Sequence, residues 1–175
     1  NAKYEDLMGK DIFGRGNVGK ITYPGATGSK QDFRVEFKTG EGNFSGYDKY
    51  LTFDVYNENK DNKNYAGGSL FIAIKDSHGN QMAGWTKYYG TEYYDNTIER
   101  DKWQTIVVDL EELKQNNNNK DHGTNNPKSV DFSKITSVFI GYWQPAYIFI
   151  DKDSFKFLGN IVEEKSGTVE LPYFN

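Results

Sequence analysis

The sequence predicts an all-β protein whose antiparallel strands form a sandwich or a barrel. Three observations carry this reading. Short runs rich in β-branched and aromatic residues alternate apolar with polar, clusters of Gly, Asn, Asp and Pro separate them, and helical periodicity is nearly absent. About eight to ten such runs can be read along the chain, and no repeat of fixed period links them.

The first 32 residues are turn-punctuated, with small strands expected at Ile12-Phe13 and Lys20–Tyr23 between Gly14, Gly16, Gly19 and the Pro24-Gly25 turn. Phe33–Phe37 alternates as a half-buried strand, and Lys49–Tyr56 places Leu51, Phe53 and Val55 on one face. Ser69–Lys75 turns Leu70, Ile72 and Ile74 inward, and Ser77-His78-Gly79-Asn80 leads it into Gln81–Tyr89. Thr91–Asp101 reads as a polar, Tyr-rich loop, Trp103–Leu110 as a strand, and Glu111–Leu113 as a single helical turn. The low-complexity stretch Gln115–Lys128 has nothing to bury and reads as a surface loop. Ile135–Phe157 is the most apolar stretch; Gln144-Pro145 divides it, and it reads as a hairpin at the middle of the core. Residues 1–160 are expected to form the sandwich, and 161–175 a linker or an added edge strand.

Composition narrows the function classes. The chain has 175 residues, enough for one domain with a full core, and a net charge of −4 that leaves no nucleic-acid footprint. No run approaches the roughly 18 apolar residues of a membrane helix, and no signal peptide is expected to remain in these residues. Without cysteine there is no disulfide framework. The first residue is not Met, which suggests a fragment of something longer. With 13 Tyr, 12 Phe and 3 Trp at a mean hydropathy of −0.80, aromatics are expected both in the core and outside it.

Gly14–Lys20 formally matches G-x-G-x-x-G, but a strand and a turn follow it where a phosphate loop needs a helix N-terminus. His78 and His122 lie in turn-like loops with no nucleophile elbow to serve, and Asp109, Glu111 and Glu112 read as solvated residues at a strand exit. The aromatics say more. Sugars offer C–H faces that stack on flat rings and hydroxyl edges that need planar polar partners. In a regular strand Gln81, Trp85, Lys87 and Tyr89 share one face, and Trp85 has the polar Lys87 and the small Ala83 as same-face neighbours, so it is expected outside. At least one of Tyr142 and Trp143 is expected to contact ligand at a strand end, whereas Trp103 is expected to anchor the core. Tyr88, Tyr89, Tyr93 and Tyr94 are candidates for a loop wall over a groove.

The order FSGYDKYLTFDVY, SLFIAIKD, DKWQTIVVDLEEL, DFSKITSVFIGY and AYIFIDKDSFKF resembles the β-jelly-roll carbohydrate-binding modules of bacterial plant-cell-wall-degrading enzymes. Asp153–Phe157 fits that family's closing strand, with Ser154 where Asn is usual, and Tyr4-Glu5-Asp6 resembles its opening; the likeness spans roughly residues 4–158. It implies a non-catalytic, extracellular or cell-surface module, a monomer attached to other domains. Such a module binds β-glucan or a related plant cell-wall glycan in a groove, here with Trp85 and Tyr142 or Trp143 stacking and Gln81 and Lys87 hydrogen-bonding hydroxyls. It also implies a structural calcium between the first and last strands, placed on Glu5 and Asp153, with Asp151 as the competitor if a bulge shifts the register. Two other classes stay open: a jelly-roll polysaccharide hydrolase or lyase, for which Tyr88 or Tyr89 with His78 is the candidate pairing, and a protein-binding adhesive module.

Overall fold

The computed structural model describes residues 2–26, 32–58, 70–85, 98–115 and 130–159. In chain order the strands are β1 (Lys3–Asp6), β2 (Val18–Tyr23), β3 (Phe33–Gly42), β4 (Tyr50–Tyr56), β5 (Phe71–Asp76), β6 (Gln81–Trp85), β7 (Trp103–Asp109), β8 (Ile135–Tyr142) and β9 (Ala146–Leu158), with one short helix, α1 (Leu110–Gln115). A five-stranded sheet runs β1-β2-β9-β4-β7 and a four-stranded sheet β3-β8-β5-β6. Every pairing within them is antiparallel. The all-β sandwich read from the alternation is the observed architecture.

The stretch read as a hairpin is a crossover instead. β8 pairs with β3 and β5, whereas β9 pairs with β2 and β4. The three residues between them change sheets. Both strands are interior to their sheets, and a strand flanked on both sides needs apolar runs as long as these whichever partner it takes. Ile135, Val138, Ile140 and Tyr142 of β8 and Ala146, Ile148, Ile150, Phe155 and Phe157 of β9 therefore supply much of the core. Phe155 stacks between Phe37 and Phe53, each at 5.2 Å between ring centroids.

Each helix and turn has a local cause. Asp109 caps α1 by accepting from the Glu112 backbone N–H at 3.1 Å, and Leu110 and Leu113 plug the end of the core. Ile12-Phe13 is not a strand: Ile12 and Arg15 form an isolated bridge around a tight turn, with Phe13 at φ 49° and Gly14 at φ 83°. The glycine-rich segment then enters β2 directly and no helix follows it. Gly19 must stay bare, because a Cβ there would lie 2.2 Å from the Tyr4 hydroxyl oxygen.

Candidate functional site

The outer face of the four-stranded sheet carries the aromatic and polar side chains singled out on β6. Strand register arranges it in three rows. The first is Arg34, Gly141, Phe71 and Trp85; the second Glu36, Phe139, Ala73 and Ala83; the third Lys38, Ser137, Lys75 and Gln81. Four strands about 4.8 Å apart and three rows about 6.6 Å apart make a platform roughly 14 by 13 Å.

Its packing is ordered from below. Gly141 has no Cβ, and one placed there would meet Arg34 Cγ at 2.8 Å and Phe71 Cβ at 3.1 Å. The space it leaves lets the Arg34 guanidinium lie over the Phe71 ring at 3.8 Å while Asp32 accepts from Arg34 Nε at 2.6 Å. Trp85 meets Phe71 edge to face at 5.6 Å. Phe71, Ala73 and Ala83 form a small apolar cluster with Trp85 and Phe139 packed against it, separate from the sandwich core. Lys75 Nζ stands 5.6 Å over the Phe139 ring. Trp85, Phe139 and Gln81 are half-buried, and Glu36 and Lys38 are exposed. Flat rings beside amide, guanidinium, ammonium and carboxylate groups are the surface a sugar chain needs.

The strand-end aromatics separate. Tyr142 is fully buried and faces the core, where burial pushes its hydroxyl pKa up. It cannot stack on a ligand, because its register opposite Phe33 turns it inward with Ile140 and Val138. Trp143, the next residue, is 36% exposed just past the first row. Lys87 and Tyr89, like Tyr88, Tyr93, Tyr94, His122 and the tail 161–175, lie outside the described residues.

Trp103 corrects another expectation: it is not in the sandwich core. It lies on the outer face of the five-stranded sheet with Tyr56, Val18 and Phe149. Its indole N–H donates to the Phe13 carbonyl at 3.0 Å, and Arg15 lies 4.4 Å over its ring. Phe13 stacks on Tyr56 at 3.9 Å and 6°. Trp103 thus anchors the β1–β2 connection on that face. The alternation of WQTIVV fixes which residues share a face with Trp103 but does not say that this face looks outward.

The acidic residues offered as calcium ligands do not converge. Glu5 lies 3.6 Å from Lys3, Asp151 accepts from Arg15 at 2.8 Å, and Asp153 accepts from the Asn17 amide at 2.8 Å. Calcium takes 6–8 oxygens, and no group of three or more carboxylate or imidazole side chains gathers for a metal among the described residues. A guanidinium does the neutralising instead, since Arg15 Nη1 also donates to Asp54 at 2.7 Å. These residues do not fit a calcium ion.

A bulge does occur where the register was open. Between the Asp54–Asp151 and Thr52–Lys156 pairs, Phe53 alone stands opposite residues 152–155 of β9. Ser154 Oγ fixes it, accepting from the Asp54 N–H at 2.7 Å and donating to the Asp151 carbonyl at 2.6 Å. The bulge brings Lys152 and Asp153 to an edge cavity of about 580 Å³ with Tyr4, Asp6, Glu36 and Lys38. Lys152, bonded to Asp6 at 2.7 Å, holds that carboxyl below its usual range. Burial, helped by Asp6, pushes Tyr4 up to about 12. Both shifts lead away from neutral pH, where an acid–base catalyst has to work. His78 is exposed in the β5–β6 turn, 3.7 Å from Asp131.

No protein-family profile and no curated protein matches the chain. Among solved structures it is similar to the family 11 carbohydrate-binding module from Clostridium thermocellum in complex with a β-1,3-1,4-mixed-linked tetrasaccharide, at 16% identity and a TM-score of 0.49 over 91% of this chain and 83% of that one. It is similar to a family 30 carbohydrate-binding module at 13% identity and a TM-score of 0.42, over 90% of this chain and 81% of that one. It is also similar to an exo-β-agarase at 15% identity and a TM-score of 0.47, over 90% of this chain and 22% of that one.

Proposed function

We propose that the chain is a non-catalytic carbohydrate-binding module that holds a polysaccharide, a β-glucan or related plant cell-wall glycan, on the outer face of its four-stranded sheet. The observation that carries this reading is the three-row platform, on which Trp85 and Phe139 stand among Arg34, Glu36, Lys38, Lys75 and Gln81. Trp85, with Trp143 at the rim, stacks on sugar rings, and Gln81 and Arg34 bond hydroxyls. Each stacked ring adds about 0.5–1.5 kcal/mol beyond its buried area, by analogy with ring–ring pairs, so a single module binds weakly. Weak binding suits an accessory domain of a secreted or cell-surface bacterial glycan-degrading enzyme, where linkage to other domains raises the effective concentration.

A hydrolase or lyase is less well supported. Asp54 and Asp151 both bond Arg15 Nη1, at 2.7 and 2.8 Å, so both are held in a structural ion pair and do not face a substrate. Affinity electrophoresis in gels containing different polysaccharides tests the proposal. Retardation by at least one glycan, relieved by its free oligosaccharides and lost in Trp85→Ala, is expected. Failure of every polysaccharide to retard the folded protein would overturn it, and release of reducing ends would move the chain to the enzyme class.

A further inference from the structure

The charge of the platform differs from that of the rest of the molecule. In a chain of net charge −4, its described rows hold three cations, Arg34, Lys38 and Lys75, against the one carboxylate of Glu36. Off the platform Lys3, Arg15, Lys49, Lys102, Lys134 and Lys152 each sit on an Asp or Glu. Lys10, Lys20 and Arg100 have no such partner among the described residues, Lys20 lying over the Phe149 ring at 5.3 Å. What sets the platform apart is that two such lysines share one row beside Gln81 and the aromatic cluster. Arg34 is matched too, by Asp32 at the end of the first row. Lys38 and Lys75 are not; neither has a carboxylate partner among the described residues, and Lys75 Nζ faces only the Phe139 ring. They lie in one row, two strands apart with the buried Ser137 between them and Gln81 beyond. That spacing is about 10 Å.

We infer that the polysaccharide this face takes is anionic, its carboxylate or sulfate groups meeting Lys38 and Lys75 while its ring faces stack on Trp85. The inference rests on the proposed glycan-binding role and narrows it. A neutral chain would leave the Lys75 ammonium over the Phe139 ring and the Lys38 ammonium in the same row unmatched, with nothing to offset whatever desolvation its binding imposes. An anionic chain completes both pairs, and the stacked rings exclude water from them. Carboxylate and sulfate half-ester offer the same charge-assisted bonds to an ammonium, so the experiment has an arm for each.

Affinity electrophoresis would compare polygalacturonate, a sulfated galactan, neutral mixed-linked β-glucan and, as a polymer without sugar rings, polyglutamate. The wild type should bind at least one of the two anionic glycans more tightly than the neutral glucan and than polyglutamate. That preference should shrink as ionic strength rises from about 0.01 M to 1 M, over which the screening length falls from about 30 Å to about 3 Å. Lys38→Gln and Lys75→Gln should each weaken the anionic glycan about two- to fivefold, weaken it more than the neutral glucan, and keep the wild-type melting temperature. Trp85→Ala should lose all glycan binding. Neutral glucan bound at least as tightly, with no effect of either lysine and with Trp85→Ala still null, would overturn the charge preference and leave the glycan module standing. Equal retention by polyglutamate would reduce the lysines to an ion exchanger and also overturn it. Absence of binding to every glycan would remove the underlying reading and this inference together.

Discussion

Arg34 lies over Phe71, its guanidinium carbon 3.8 Å from the ring centroid, in space that Gly141 leaves open. A planar cation on an aromatic face contributes about 0.5–2 kcal/mol depending on its desolvation, and here it also fixes the end of the row that holds Trp85. Gly141→Ala would press on Arg34 Cγ, the Phe33 carbonyl oxygen and Phe71 Cβ. We expect a loss of about 1–3 kcal/mol in stability together with weaker glycan retention. Urea unfolding and affinity electrophoresis of the same variant check both. Unchanged binding would detach Arg34 from the site.

The two tryptophans on opposite outer faces should part company. Trp85→Ala is expected to abolish or strongly weaken polysaccharide retention, with the melting midpoint within a few degrees of wild type. Trp103→Ala should instead lower stability by about 1–3 kcal/mol, because it loses the Phe13 hydrogen bond and the Arg15 and Tyr56 ring contacts, and should still bind glycan. Scanning calorimetry with a retention assay reads both. Loss of binding in Trp103→Ala with its midpoint intact would move the site to the five-stranded sheet.

Arg15 clamps two strands together through Asp54 of β4 and Asp151 of β9. Arg15→Met would leave Asp54 and Asp151 facing each other without a counter-ion, at a cost of about 1–3 kcal/mol, below the 3–5 of fully buried pairs because Arg15 is partly exposed. EDTA should leave the wild-type melting curve in place. A wild-type midpoint that falls on chelation and returns with calcium would show that the strand-end carboxylates take a metal after all.

Acid should first loosen the β5–β6 turn. Burial works to raise the Asp76 carboxyl, but the backbone N–H groups of Asp131, Asn80 and His78 and the Asn80 amide outweigh it and hold the group below its usual range. A depressed folded pKa contributes stability that is fully present above the unfolded value of about 3.9 and is lost as pH falls through the folded one. Melting temperature should therefore drop below about pH 4. Asp76→Ala should be less stable at pH 7 by about 2–3 kcal/mol and show a shallower acid decline. Parallel pH profiles for the two proteins would exclude Asp76 as the cause.

Much of the sandwich was legible because the period-2 pattern of FRVEF, KYLTFDVY and SLFIAIK is itself the physical requirement of a strand with one buried face. The outward placement of Trp85 was legible from its neighbours for the same reason. Pairing was not, since an apolar run reports that a strand is flanked and not by which strand; hence the crossover after Tyr142 read as a hairpin. Nor does one large aromatic say which face of a strand meets the core: in β7 Ile106 and Val108 do, while Trp103 shares the outer face with Thr105 and Val107. The partners of the strand-end carboxylates were not legible either: Arg15 is 136 positions from Asp151, and no spacing rule brings them together.

The crossover has a consequence for how the chain is made. β9 joins the β1–β2 pair to the β4–β7 pair, and β8 joins β3 to the β5–β6 hairpin. A ribosome releases these two strands after the seven others, so until β8 has emerged the earlier strands are at best separate two-stranded ribbons or single strands with bare edges. Until about residue 158 has emerged, the four-stranded sheet has no complete partner to cover its apolar face. Two-stranded ribbons are marginal in water, and bare edges invite other chains. Nascent chains ending before Ala146 should remain protease-sensitive, and protection should arrive in one step once β9 is complete.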